Sequence, residues 1–85
     1  MIQTTLGIDG MMCEMCEAHI NDAIRRNFAV KSAKSNRRKK QCVIVSEDEL
    51  DQDKIRSVIG ETGYDLLSIS SEPYEGKRGF LGLFS

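Results

Sequence analysis

Cys13 and Cys16 stand three positions apart in the run Gly10-Met11-Met12-Cys13-Glu14-Met15-Cys16, which ends a short apolar alternation and opens an amphipathic stretch. Two thiols at that spacing on the first turn of a helix point into one small space. The unpaired N–H groups and positive end of a helix favour thiolate over thiol, and thiolate is the form that attacks and the form that binds metal. Soft sulfur ligands select soft ions, so a converging pair with few oxygen or imidazole neighbours suits Cu(I) first and Zn(II), Cd(II) or Hg(II) after it. The same spacing also fits a thiol-disulfide catalyst of the thioredoxin type. Against that reading, the chain has no Trp and no Pro between the cysteines, and its one proline, Pro73, lies outside the expected core.

Other chemistry-bearing residues are weighed against this pair. His19 follows Cys16 by three residues and reads as a surface or helix-edge histidine, with metal ligation as the alternative. Cys42 reads as a small buried filler, with a third sulfur, alone or in a dimer, as the alternative. Met11 is expected in the core. Met12 and Met15 are expected in the loop, keeping water from the site. Arg37-Arg38-Lys39-Lys40 is most simply a solvated turn, and functionally a patch that steers an acidic partner.

The elements that must position these residues follow from periodicity. Ile2, Thr4, Leu6 and Ile8 alternate with Gln3, Thr5 and Gly7, as in a strand with one buried face. From Cys13 to Phe28 the apolar positions Cys16, Ile20, Ala23, Ile24 and Phe28 recur every three or four residues, which predicts a helix. Glu14 and Glu17 in its first turn and Arg25 and Arg26 in its last complement the dipole. Val30 to Lys34 is a weak strand and Ser35 to Lys40 a hairpin loop. Gln41 to Val45 is a β-branched central strand. Asp51 caps a helix over 52–62 whose stripe is Ile55, Val58 and Ile59, and Gly63 stops it. Tyr64 to Ser70 is a last strand with Leu67 and Ile69 inward and Leu66 partly buried or covering the edge.

The order βαββαβ predicts an α+β, ferredoxin-like sandwich of two helices on a four-stranded antiparallel sheet. Following the chain up and down that topology brings the Cys13 loop, the 35–40 hairpin and the Gly63-Tyr64 turn to one end. At 85 residues this is one domain with a thin core. It is expected over 1–70, followed by a flexible tail over 71–85.

With 40% apolar and 29% charged residues and a formal net charge of -1, the composition is that of a soluble globular protein and excludes a chain-wide attraction to nucleic acid. Charge is nonetheless segregated: six of the twelve Lys and Arg lie between Lys31 and Lys40, followed by the acidic run Glu47, Asp48, Glu49, Asp51 and Asp53. Three cysteines without an export signal or a membrane-length apolar run point to metal or redox chemistry in the cytoplasm rather than structural disulfides. The starting Met and charged tail favour a free-standing protein. The tail's Phe80, Leu81, Leu83 and Phe84 suit a partner, a second copy or a membrane surface equally well.

The Gly10 to Cys16 run resembles the GMxCxxC signature of heavy-metal-associated domains, the modules of copper chaperones and of the cytosolic regions of copper-transporting P-type ATPases. The likeness covers roughly residues 2 to 70. Glu61-Thr62-Gly63-Tyr64-Asp65 is similar to the bacterial form of the family's fifth loop. The resemblance implies Cu(I) held by Cys13 and Cys16, Met11 buried beneath the loop, Tyr64 shielding it, and Met12 in a position where Asp accompanies Zn(II) or Cd(II) preference. It further implies a non-enzymatic metallochaperone, monomeric or a metal-bridged dimer, that passes copper by ligand exchange to a P-type ATPase domain. Metal sensing and detoxification are the other roles it admits. Glu17, His19, Cys42 and the basic 31–40 stretch depart from the family pattern.

Overall fold

A computed structural model describes residues 1–74. Its elements run β1 (Ile2–Asp9), α1 (Glu14–Asn27), β2 (Ser32–Asn36), β3 (Gln41–Ser46), α2 (Gln52–Thr62) and β4 (Asp65–Pro73), in the expected βαββαβ order. All neighbouring strands are antiparallel in the sheet order β2-β3-β1-β4. Both helices cover one face of that sheet, and the core between the layers holds Leu6, Ile8, Ile20, Ile24, Cys42, Ile44, Ile55 and Ile59, all without solvent exposure.

Each helix forms where its ends are satisfied as well as where its stripe is apolar. Asp51 accepts hydrogen bonds from the N–H groups of Asp53 (2.9 Å) and Lys54 (3.3 Å), capping α2, and Gly63 ends it in the left-handed region at φ 87°. In α1 the N-cap is Cys13 itself, in extended geometry and with its thiol bonded to no helix N–H. That leaves the sulfur available to something else.

Three features differ from the sequence reading. β2 covers Ser32 to Asn36, so Ser35 and Asn36 belong to the strand and the loop shrinks to 37–40. The reason is long-range: Ser35 pairs with Cys42 and Asn36 with Gln41, while the Asn36 side chain takes the N–H groups of Arg38 and Lys39, both at 3.0 Å, to close the turn. β4 extends to Pro73, because β1 offers pairing partners as far as Ile2. Finally, Leu67 points outward at 60% exposure, and Leu66 joins Ile69 against the core. A β-bulge explains this, since Gly7 pairs with Ser68 and Ile8 with Leu66, leaving Leu67 as the extra residue that shifts the phase of alternation. Residues 75–85, most of the expected tail, lie outside the described residues.

Thr4 is fully buried on the core face of β1, and its hydroxyl has no hydrogen-bond partner among the described residues. A buried, unpaired hydroxyl costs about 1–3 kcal/mol. Thr4→Val is near-isosteric and is expected to raise stability by about 1 kcal/mol in urea unfolding, with metal uptake unchanged.

Candidate metal centre

β1 delivers the chain to one end of the sandwich, and Gly10 turns it at φ 100°, a left-handed geometry that an L side chain resists. A Cβ at Gly10 would also stand 3.3 Å from Cδ1 of Tyr64, so glycine lets the ring close over the loop. Met11 then drops into the core at 9% exposure, anchoring the loop from below. The carbonyl of Cys13 accepts from the N–H groups of Cys16 (3.0 Å) and Glu17 (3.3 Å), starting α1.

This geometry leaves Cys13 exposed, Cys16 half-buried, and their sulfurs 3.7 Å apart as free thiols. With metal–sulfur bonds of about 2.3 Å, sulfurs at that separation subtend about 107° at the metal; a linear pair needs about 4.6 Å. Cys16 is packed against the core, whereas Cys13 is exposed, so rotation of the Cys13 side chain is what can widen the separation. The Cys16 pKa is lowered to about 7 by hydrogen bonding with the Tyr64 phenol first, then by the backbone N–H groups of Met12 and Cys13. The same contact raises the Tyr64 pKa. Cys16 is therefore substantially thiolate at neutral pH.

Tyr64→Phe removes the largest of those causes. The pH midpoint for alkylation of Cys16 by iodoacetamide is expected to move up from about 7, toward the ordinary thiol value. A depressed thiol pKa stabilises the fold fully only above the unfolded-state value of 9.0, and that contribution is lost as pH falls through about 7. The metal-free variant should accordingly show a weaker rise of stability between pH 7 and pH 9.

The other sequence candidates divide. His19 is exposed, with its ring edge-on to Tyr64 at 6.1 Å between centroids. Cys42 lies on the core side of β3, and burial pushes its pKa up, the condition of an inert thiol. Among the described residues no three His, Cys, Asp or Glu side chains converge as a metal-holding group. The structure thus brings Cys13, Cys16 and Tyr64 together and leaves His19 and Cys42 out of the cluster. Met12 and Met15 are 83% and 80% exposed, so they stand out from the loop instead of sheltering it, contrary to the expectation of a water-excluding cover. The cause is the tight turn into α1, which spends its inward-facing positions on Met11 and Cys16.

Glu17, one residue past Cys16, has a role that periodicity did not reveal. Its carboxylate accepts from the Arg37 N–H at 2.7 Å and from Arg37 Nη1 at 3.1 Å. One and two turns further along α1, Asn21 accepts from the Ser35 hydroxyl (2.7 Å) and Arg25 donates to the Ala33 carbonyl (3.4 Å). Helix positions four apart thus meet strand positions two apart. On the other side of the hairpin, Lys40 pairs with Asp9 at 3.6 Å and its carbonyl accepts from the Ile8 N–H at 2.8 Å. The basic hairpin is therefore fastened to both flanks of the cysteine loop. A matching acidic residue on a helix, 20 residues from its partner along the chain, carries no signal in sequence alone. Glu17→Ala is expected to cost about 1–2 kcal/mol in thermal or urea unfolding, because a half-buried charge-assisted pair and a backbone donor lose their acceptor.

Comparison with known proteins agrees with this architecture. The heavy-metal-associated domain model matches residues 5–65. A solved CopZ metallochaperone shares 26% identity over 76% of this chain and 98% of its own, with a TM-score of 0.70. The yeast copper transporter domain Ccc2a, solved in apo and Cu(I)-loaded states, shares 25% identity over 82% of this chain and 100% of its own, with a TM-score of 0.69. The N-terminal domain of ZntA in its Zn(II) form shares the fold at 18% identity and a TM-score of 0.67, covering 87% of this chain and 96% of its own. With its family model spanning the loop, both helices and the start of the last strand, the chain belongs to the heavy-metal-associated domain family.

Proposed function

We propose that this protein is a cytoplasmic metallochaperone, not an enzyme, that holds Cu(I) between the sulfurs of Cys13 and Cys16 and passes it by ligand exchange to the metal-binding domain of a P-type ATPase. The observation that carries the reading is the pair itself: two free sulfurs 3.7 Å apart at the surface, with no third ligand gathered around them among the described residues. Low coordination leaves open positions at the ion for an incoming thiolate, so tight holding and rapid exchange are compatible. Tyr64 keeps Cys16 ready to bind at neutral pH, and Met11 holds the loop. The likeness to the yeast copper transporter domain Ccc2a, solved with Cu(I), supports copper as the cargo.

A second reading, Zn(II) as the cargo, draws on the sulfur separation, which at rest matches a bent rather than a linear pair. Competition of the reduced protein against calibrated Cu(I) and Zn(II) chelators separates the two. Preference for Cu(I) by several orders of magnitude, followed by transfer to an ATPase metal-binding domain within seconds, is the expected result. Comparable retention of Zn(II), or reduction of insulin disulfides by the metal-free dithiol, would overturn the copper reading.

A further inference from the structure

The end of the sandwich remote from the dithiol holds a cleft of about 420 Å³ between two loops, 28–31 after α1 and 47–51 after β3. Its apolar floor is Ala29, Val30 and Leu50, the last two also packed against the core. Its rim is acidic, from Glu47, Asp48 and Glu49, all exposed. Lys31 joins the two loops by pairing with Glu47 at 3.2 Å, while among the described residues Asp48 and Glu49 take part in no ion pair. Both walls are tied to the end of β3: the Lys31 N–H donates to the Val45 carbonyl at 2.6 Å, and Ser46 Oγ donates to the Asp48 carbonyl at 2.6 Å. The cleft is therefore formed before anything enters it, which lowers the ordering cost of binding there.

The same end is where β4 finishes. Ile2 pairs with Ser46 of β3 on one side and with Pro73 of β4 on the other, and the Tyr74 N–H donates to the Met1 carbonyl at 2.9 Å. Ser46 and Pro73 are thus two strand spacings apart, about 10 Å. The sequence continues from Tyr74 as Glu75-Gly76-Lys77-Arg78-Gly79-Phe80-Leu81, two cations followed closely by two large apolar residues. At about 3.3 Å per extended residue, Lys77 and Arg78 can reach about 10–13 Å from Tyr74, and Phe80 and Leu81 about 20–23 Å. Both spans cover the gap to the 47–51 loop. The cations complement the unpaired carboxylates of the rim, and the apolar pair matches the floor.

We propose that the chain's own segment 77–81 docks in this cleft, with Lys77 and Arg78 on Asp48 and Glu49 and with Phe80 and Leu81 against Val30 and Leu50. Like charge turns the segment away from the opposite end, where Arg38 and Lys39 are exposed. Docking takes from water a pair of side chains that a small domain would otherwise present as an apolar patch. It does so far from Cys13 and Cys16, so the dithiol stays open to a partner while the segment is held. The inference is independent of metal binding.

The experiment uses the full chain, reduced and metal-free, and reads two quantities. One is the set of nuclear Overhauser contacts from Phe80 and Leu81 to the methyl groups of Val30 and Leu50; the other is the rate of chymotrypsin cleavage after Phe80 or Leu81. The wild type is expected to show the contacts as a dilute monomer. It should be cut at least about tenfold more slowly than either of two double variants, Asp48→Lys with Glu49→Lys and Lys77→Glu with Arg78→Glu. Protection should also fall as salt is raised. All four substitutions in one chain reverse both sets of charges and should restore contacts and protection, a rescue that a change in the protease's preference would not produce. A wild type without the contacts and cut as fast as the variants overturns the inference, as does a fourfold variant that recovers neither readout. Contacts found only between differently labelled chains overturn it and assign the cleft to a second copy. Co-sedimentation with anionic lipid vesicles in place of the contacts overturns it and assigns the segment to a membrane surface. Each of these failures leaves metal binding by Cys13 and Cys16 standing.

Discussion

Cys13→Ser and Cys16→Ser are each expected to weaken metal binding by at least about a hundredfold, and the double variant to abolish it. Structural zinc sites with four ligands are worth about 10–16 kcal/mol, or about 3 kcal/mol per ligand, and every 1.4 kcal/mol is tenfold. Removing one of only two ligands also forfeits chelation, so the loss exceeds the per-ligand share. A serine hydroxyl does not compensate, being a hard donor that stays protonated at neutral pH. The two positions are not equivalent. Cys16, held near pKa 7 by Tyr64 and two backbone donors, is the sulfur poised as thiolate, while Cys13 is the more exposed one. Alkylation footprinting of each single variant across pH checks this: Cys16, the loop thiol left in Cys13→Ser, should react with its pH midpoint near 7. Cys42→Ser should leave affinity unchanged, because Cys42 lies in the core and outside the cysteine loop.

Leu6→Ala is expected to have the largest effect on stability. Leu6 has no solvent exposure and sits at the middle of β1, opposite Cys42 on β3 and Ile69 on β4. Its truncation opens a cavity in a core too thin to collapse around it. Buried Leu→Ala changes cost about 2–5 kcal/mol, and in a domain of this size 1 kcal/mol shifts Tm by about 4–8 °C, so a fall of about 8–40 °C follows. Total stability for a small domain is about 5–10 kcal/mol, which leaves the variant marginal. Because β1 runs directly into the cysteine loop, metal that binds the folded state should recover part of the loss, about 4 kcal/mol at a thousand times its dissociation constant. Thermal unfolding with and without metal checks both figures. A Leu6→Ala protein as stable as wild type would mean that the sheet–helix core is not the principal source of stability.

The element order was legible because each element announces itself locally. The alternation of Ile2 to Ile8, the Ile20–Ile24 and Ile55–Ile59 stripes, the Asp51 cap and the Gly63 stop depend on residues within a few positions of one another. The cysteine pair was legible for the same reason. The boundaries of β2 and the facing of β4 were not, since pairing across the sheet decides both: Asn36 is strand because Gln41 lies opposite, and Leu67 faces water because β1 meets β4 through a bulge at Gly7 and Ile8. Likewise the four cations at 37–40 form one patch when read along the chain. In space two of them are bound to Glu17 and Asp9, and among the described residues Arg38 and Lys39 take part in no ion pair.

By itself, then, the sequence determined a βαββαβ chain with a soft-metal dithiol where the first strand turns into the first helix, because periodicity, capping and three-residue spacing are short-range properties. Tertiary structure alone decided that Tyr64 meets Cys16, that Glu17 fastens the hairpin, and that Lys40 pairs with Asp9. Those contacts join residues 20 to 48 positions apart, and only the packing of helices on a closed register of strands brings them within reach.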